Sequence, residues 1–195
     1  NSLQELRRFR ELIGPIFPYG SGTMTTLFSE LYVGSDGIRR KYGVNPRFYD
    51  GPGLLENEKL IVEPEALEEL RNLAPKGLAI LSGKGRWEAE KILGPILHYF
   101  NLETSLFTGD TGRDMDKPNP TGLLECCRKL RAEHVLYVGD GGEDYFLVMK
   151  ARERGIKACL AAVLTNKYSY TFFTKYSANV ILENVNFLPK LFKRP

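Results

Sequence analysis

The side chains with the most chemistry in this sequence are Asp140, Glu143 and Asp144. They lie in Gly139-Asp-Gly-Gly-Glu-Asp144, directly after the apolar run Val135-Leu-Tyr-Val138. Carboxylates gathered at a strand end suit magnesium, which takes oxygen ligands and keeps several waters. Asp140 or Asp144 would equally serve as a helix N-cap. Lys117 precedes Pro118-Asn119-Pro120 and so stands near a helix start. Its ammonium could meet a phosphate or the carboxylates, which would otherwise repel one another; a solvated lysine is the plainer alternative. Ser82-Gly83-Lys84 follows Leu78-Ala-Ile-Leu81. A hydroxyl and free backbone N–H groups at a strand-to-helix turn make an anion nest, or Ser82 simply caps the next helix.

These groups need a scaffold that brings them to one edge. From Leu78 onward, short apolar runs alternate with amphipathic stretches. Leu78–Leu81, Ser105–Thr108, Val135–Val138, Lys157–Val163 and Val180–Leu182 read as strands. Glu88–Phe100, Pro120–Leu130 and Glu143–Arg154 read as helices, with a helical tail to Arg194. That alternation predicts an α/β fold: a Rossmann-like, three-layer core around a parallel sheet. Ligands of such sheets bind at the carboxyl ends of the strands, where the three motifs fall. Residues 1–62 differ. Leu3–Ile13, Thr23–Val33 and Gly37–Tyr42 read as helices separated by Gly- and Pro-rich stretches, which predicts a small α-helical cap domain ahead of a core over 63–195.

Bulk composition narrows the function. The chain has 195 residues, 43% hydrophobic and 26% charged, as globular domains do. A net charge of +3 is too small to argue for nucleic acid, and none is expected as a partner. No apolar run is long enough to span a bilayer, so no membrane partner is expected either. Three cysteines without ligand-like spacing suggest a reducing, cytoplasmic setting and no structural metal. No oligomeric state follows from these numbers.

In their order, Ile80-Leu-Ser82-Gly83, Lys117-Pro118 and Gly139-Asp140-Gly-Gly-Glu-Asp144 resemble the second, third and fourth motifs of the haloacid dehalogenase superfamily. The resemblance covers about residues 54–165. It implies a phosphatase-like, Mg²⁺-dependent enzyme acting on a small phosphorylated substrate through an aspartyl-phosphate. By resemblance, Ser82 and Lys117 are catalytic, and Ser82, Gly83, Lys84 and Lys117 bind the phosphoryl group. Asp140 ligates Mg²⁺, Asp144 ligates it or holds its waters, and Glu143 is an alternate ligand.

The family's first motif, an apolar strand ending in Asp-x-Asp, has no match. Asp114-Met-Asp116 has the spacing but lies in a polar loop after the second motif, and Asp36 has no second aspartate. The expectation is therefore that the nucleophile strand lies upstream of Asn1, with the cap following it. A pseudoenzyme that keeps the phosphate pocket is the alternative, and phosphoglucomutase-type transfer uses the same residues.

Overall fold

The computed structural model describes residues 2–15, 18–111 and 113–193. The chain divides into two compact units, Asn1–Lys59 and Leu60–Pro195.

The larger unit has an α/β architecture with parallel strands. Three of them form one sheet in the order β3 (His134–Gly139), β4 (Lys157–Val163), β5 (Val180–Leu182). Tyr137 pairs with Leu160 and Ala161 with Val180. The connection from β3 to β4 is α6 (Gly142–Glu153), whose Leu147, Val148 and Ala151 are buried. Those residues join Leu123 and Cys127 of α5 (Thr121–Leu130), Tyr137, Leu160 and Phe173 in the main core. The central β4 is buried on both faces from Leu160 to Val163, as parallel strands covered by helices are.

A second, two-stranded parallel sheet pairs β1 (Leu81–Ser82) with β2 (Leu106–Phe107). Bonding continues upstream on the same side: Ile80 accepts from Leu106 N–H and Asn101 N–H donates to Leu78 O. Leu81 also packs against the main core, so β1 and β3 share one hydrophobic cluster. Even so, the two sheets are separate in the ladder among the described residues. Both β1 and β3 lie at an edge of their sheet among the described residues. Leu78 to Ser82 stay half-buried despite being nearly all apolar, and Val138 of β3 is 39% exposed. An apolar parallel strand with an open edge is a liability that folded proteins normally cover. The expected strand over Leu78–Leu81 has two ladder residues, Leu81 and Ser82, set by the two residues of β2 that pair with them.

Other expected elements shift by a residue or more. The helix predicted over Glu88–Phe100 is α4 (Arg86–Leu93) continued by a 3₁₀ stretch over Gly94–Tyr99. The tail after β5 is 3₁₀ over Val185–Phe192, with Pro189 inside it. Two helices flank the core: α3 (Pro64–Leu73), and α7 (Lys167–Lys175), which the sequence reading missed.

The smaller unit contains helix and turn, and no strand among its described residues. It is built from α1 (Ser2–Ile13), α2 (Thr23–Tyr42) and a 3₁₀ turn over Leu54–Asn57. The two helices predicted over Thr23–Val33 and Gly37–Tyr42 are one helix with a kink at Gly34, where φ is 72°. A Cβ there would lie 2.4 Å from Gly53 N. Glycine is thus required twice over, by its left-handed backbone and by the packed Gly51–Gly53 segment. Glu30 is fully buried and gathers the 47–49 loop: Arg47, Phe48 and Tyr49 donate backbone N–H groups to it at 2.7, 2.8 and 2.9 Å, and the Tyr19 hydroxyl donates at 2.9 Å. No sequence signal singled out this glutamate.

Candidate active site at the carboxyl end of β3

The turn after β3 is organised around Asp144. It occupies the third position of α6 and is 2% exposed. Its Oδ2 accepts from the backbone N–H groups of Asp140 and Gly141, both at 3.0 Å. Its Oδ1 accepts from Lys117 Nζ and from the Tyr137 hydroxyl, both at 2.9 Å. A carboxylate offers about four acceptor positions, and here protein groups take all of them. The capping and the charged readings of this residue are therefore both true. Asp144 closes the helix N-terminus and at the same time anchors the lysine.

Lys117 also pairs with Glu143 Oε1 at 3.0 Å. Burial on its own would lower its pKa. The charges of and hydrogen bonds from Asp144 and Glu143 outweigh that, and the ammonium is held above its ordinary value. It stays charged across the physiological range and fixed in place, as an anion-binding cation must be. Burial, then the Asp144 charge, push the Tyr137 hydroxyl far above the usual tyrosine range, so it acts as a donor only.

Asp140, exposed at the end of β3, has a different partner. Thr165, two residues past β4, donates its hydroxyl to Asp140 Oδ2 at 2.6 Å. The ends of β3 and β4 thus converge on one carboxylate. The sequence reading missed both Tyr137 and Thr165. A tyrosine inside an apolar strand needs a partner for its hydroxyl, and a threonine just past a strand end lies where such sheets bind ligands; either was a usable signal.

The Ser82-Gly83-Lys84 turn is arranged otherwise than expected. Its N–H groups are not a free nest. Lys84 N–H donates to Ser82 Oγ at 3.1 Å, Arg86 N–H to Asp110 Oδ2 at 2.6 Å, and Gly85 N–H makes a short hydrogen bond to Glu88. Glu88 and Asp110 thus take the N–H groups at the start of α4. Ser82 keeps its own proton to donate. Gly83 has open space where a side chain would project. Burial pushes the half-buried Lys84 ammonium below its ordinary value, opposed by the Glu88 charge. The link from this turn to Lys117 is packing: Gly122, at the start of α5, lies against Leu81, Leu106 and the Met115 carbonyl, where a Cβ would meet Leu81 at 3.0 Å.

The donors available for a cation can be counted from these bonds. Asp144 is saturated, Glu143 is engaged by Lys117, and Asp140 offers its remaining oxygen. Among the described residues no group of three His, Cys, Asp or Glu side chains is arranged to hold a metal ion. Asp140 fits as one magnesium ligand, and a full carboxylate set would need groups from outside the described residues. The other aspartates considered are no substitute. Asp36 is fully exposed on α2 and pairs with Arg39, and Asp114 lies in the 3₁₀ turn Arg113–Met115.

Residues 53–146, which contain all three motifs, match the family model of the haloacid dehalogenase-like hydrolases. Residues 53–146 thus carry a haloacid dehalogenase-like domain. Solved structures support the same fold. An X-ray structure from the Northeast Structural Genomics Consortium superposes with a TM-score of 0.62 at 16% identity, over 85% of this chain and 51% of the other. A Bacteroides fragilis protein assigned to the haloacid dehalogenase-like hydrolases superposes with a TM-score of 0.53 at 23% identity, over 64% of this chain and 56% of its own. The chain thus spans about half the length of these relatives. No protein of curated function matches the sequence. Among the described residues, no helix of this haloacid dehalogenase-like chain is long and apolar enough to cross a membrane.

Proposed function

We propose that this chain is the phosphate- and cation-binding part of a magnesium-dependent phosphohydrolase for a small phosphorylated metabolite. Lys117 carries the reading. Asp144 and Glu143 pin its ammonium at the carboxyl end of β3, an edge strand of its sheet among the described residues. A further parallel strand on that edge would end beside Lys117 and Asp140. It would bring the aspartate that the described residues lack.

The chemistry is then hydrolysis through an aspartyl-phosphate. An aspartate of the inserted strand attacks phosphorus, the ester oxygen leaves and takes up a proton, and water then cleaves the acyl phosphate. Lys117 stabilises the charge gathered on the phosphoryl oxygens. Ser82 donates its hydroxyl proton to one of those oxygens. Asp140, with Glu143 as alternate, would ligate magnesium, which lets a phosphate approach clustered carboxylates. Asp144 orients Lys117 rather than touching the substrate. The helical unit is the cap that selects the substrate and excludes water. Three free cysteines fit a cytoplasmic setting.

A non-catalytic phosphate-binding protein is the second reading, favoured by the lack of an Asp-x-Asp strand among the described residues. The test is phosphate release from a generic ester by the protein. Mg²⁺-dependent turnover that Asp140→Asn abolishes supports the enzyme. Phosphate binding without turnover supports the binder, and turnover unchanged in the variant rejects the assignment of Asp140.

A further inference from the structure

A cavity of about 500 Å³ opens directly beside Asp140, and the site as described makes no use of it. Asp140 and Gly142 form one end, and α7 forms the wall, with Tyr168, Phe172, Lys175 and Tyr176. The wall is aromatic and ordered. Phe172 and Tyr176 stack with ring centroids 4.5 Å apart at 20°. Phe172 lies flush on the first turn of α6, where a Cβ on Gly142 would meet its ring at 2.8 Å. Gly142 therefore makes room for this ring. Tyr168 is 86% exposed at the mouth.

A chain of hydrogen bonds ties that wall to the site. Asp140 accepts from Thr165, the Thr165 hydroxyl accepts from Asn166 Nδ2 at 3.1 Å, and Asn166 Oδ1 accepts from the N–H groups of Tyr168 and Ser169 at 2.8 and 3.0 Å. The start of α7 is thus held in a fixed relation to the carboxylate proposed to serve the cation.

We infer that this cavity receives a planar aromatic group of the substrate, placing its phosphate at Asp140 and Lys117. The inference rests on the phosphohydrolase reading for the phosphate end and names the substrate class: phosphate monoesters of an aromatic or nucleoside leaving group. Three observations favour an aromatic occupant over a sugar or an aliphatic chain. The lining carries three aromatic side chains, Tyr168, Phe172 and Tyr176, and aromatic rings stack on any flat π-system. Its charged side chains are two, Asp140 and Lys175, and the rest is uncharged. Lys175, whose ammonium lies 5.6 Å from the Tyr176 ring centroid, adds a cation to that aromatic wall.

The probes are adenosine 5′-monophosphate, adenosine and ribose 5-phosphate, with binding to the full gene product measured by calorimetry in Mg²⁺. Stacking on one aromatic side chain is typically worth about tenfold in affinity. Adenosine monophosphate is expected to bind at least about tenfold more tightly than ribose 5-phosphate. Tyr168→Ala should shrink that ratio, and Phe172→Leu should shrink it further. Adenosine alone should bind weakly and lose affinity in the same variants. Equal affinity for the two phosphate esters, or a ratio that neither variant changes, overturns the inference. If adenosine binds in a Tyr168-dependent way while ribose 5-phosphate does not bind, the cavity stands and the phosphate reading fails. If ribose 5-phosphate binds and adenosine monophosphate gains nothing, the phosphate reading stands and the cavity fails.

Discussion

Lys117 and Tyr137 donate to the same oxygen, Oδ1 of Asp144, each from 2.9 Å. The lysine comes from the loop before α5, the tyrosine from the middle of β3, and the aspartate from the first turn of α6. One buried carboxylate therefore sets the position of the site's principal cation relative to the sheet.

It follows that Asp144 is a stability determinant as well as a site residue. Asp144→Ala leaves a buried ammonium, a buried hydroxyl and two N–H groups without their acceptor. The expected loss is about 3–5 kcal/mol, in the range for removing one partner of a buried charged network. Urea unfolding should show it as a lower midpoint at unchanged slope. Asp144→Asn keeps an acceptor oxygen and should lose less. An alanine variant as stable as the parent would mean that Asp144 is an ordinary exposed metal ligand.

Glu30 should control the acid stability of the helical unit. Burial would raise its pKa, but the three backbone N–H donors and the Tyr19 hydroxyl outweigh it and hold it below its ordinary 4.5. A depressed carboxyl contributes stability that is fully present above that ordinary value and disappears as pH falls through the lower native one. Hydrogen exchange at the Arg47, Phe48 and Tyr49 amides should accordingly speed up below about pH 4.5. Glu30→Gln should raise exchange at neutral pH and flatten the acid dependence. Burial, then the hydrogen bond to Glu30 and its charge, push the Tyr19 hydroxyl the other way, to about 12.

Gly142→Ala should be destabilising by about 1–3 kcal/mol, the range for overpacking a filled site. Its methyl group would meet the Phe172 ring at 2.8 Å. Because the clash is with a side chain, Phe172→Leu should recover part of the loss in a double-mutant cycle. Gly34→Ala should find no such rescue, since the atoms in its way are the backbone of Gly53.

Thr108→Val should be neutral or stabilising. Thr108 Oγ1 is buried and has no hydrogen-bond partner among the described residues. A partnerless buried polar group costs about 1–3 kcal/mol, which an isosteric methyl removes. Thermal unfolding of the two proteins is the check; a clear drop in midpoint would show that the hydroxyl is satisfied in solution.

How far the sequence was legible depended on whether apolar pattern alone decided an element. The strands over Lys157–Val163 and Val180–Leu182 lie within their expected bounds, because continuous apolar runs between glycine and polar breaks admit little else. Lys117, Glu143 and Asp144 meet because a lysine at a helix start and carboxylates at a strand end were arranged for it. In contrast, α7 was illegible: Tyr168 and Tyr170 are exposed and only Ser169 and Phe173 are buried, so no apolar stripe marks it. Its one clear sign was Asn166, which caps it. The bonding after the Ser82 turn was illegible for another reason. Glu88 and Asp110, which accept from the Gly85 and Arg86 N–H groups, come from α4 and from beyond β2, and only the fold brings them there. The shortness of β1 follows from its two-residue pairing with β2, which no property of its own residues could reveal.

The central claim is that Lys117, pinned by Asp144 at the carboxyl end of β3, faces a phosphoryl group. The most direct measurement is the rate of Mg²⁺-dependent phosphate release, compared between the parent protein and Lys117→Met. Removing one group that stabilises transition-state charge typically costs about 10²–10³ in rate, and a loss of that size with the fold intact is the expected result. An unchanged rate in the folded variant would contradict the account.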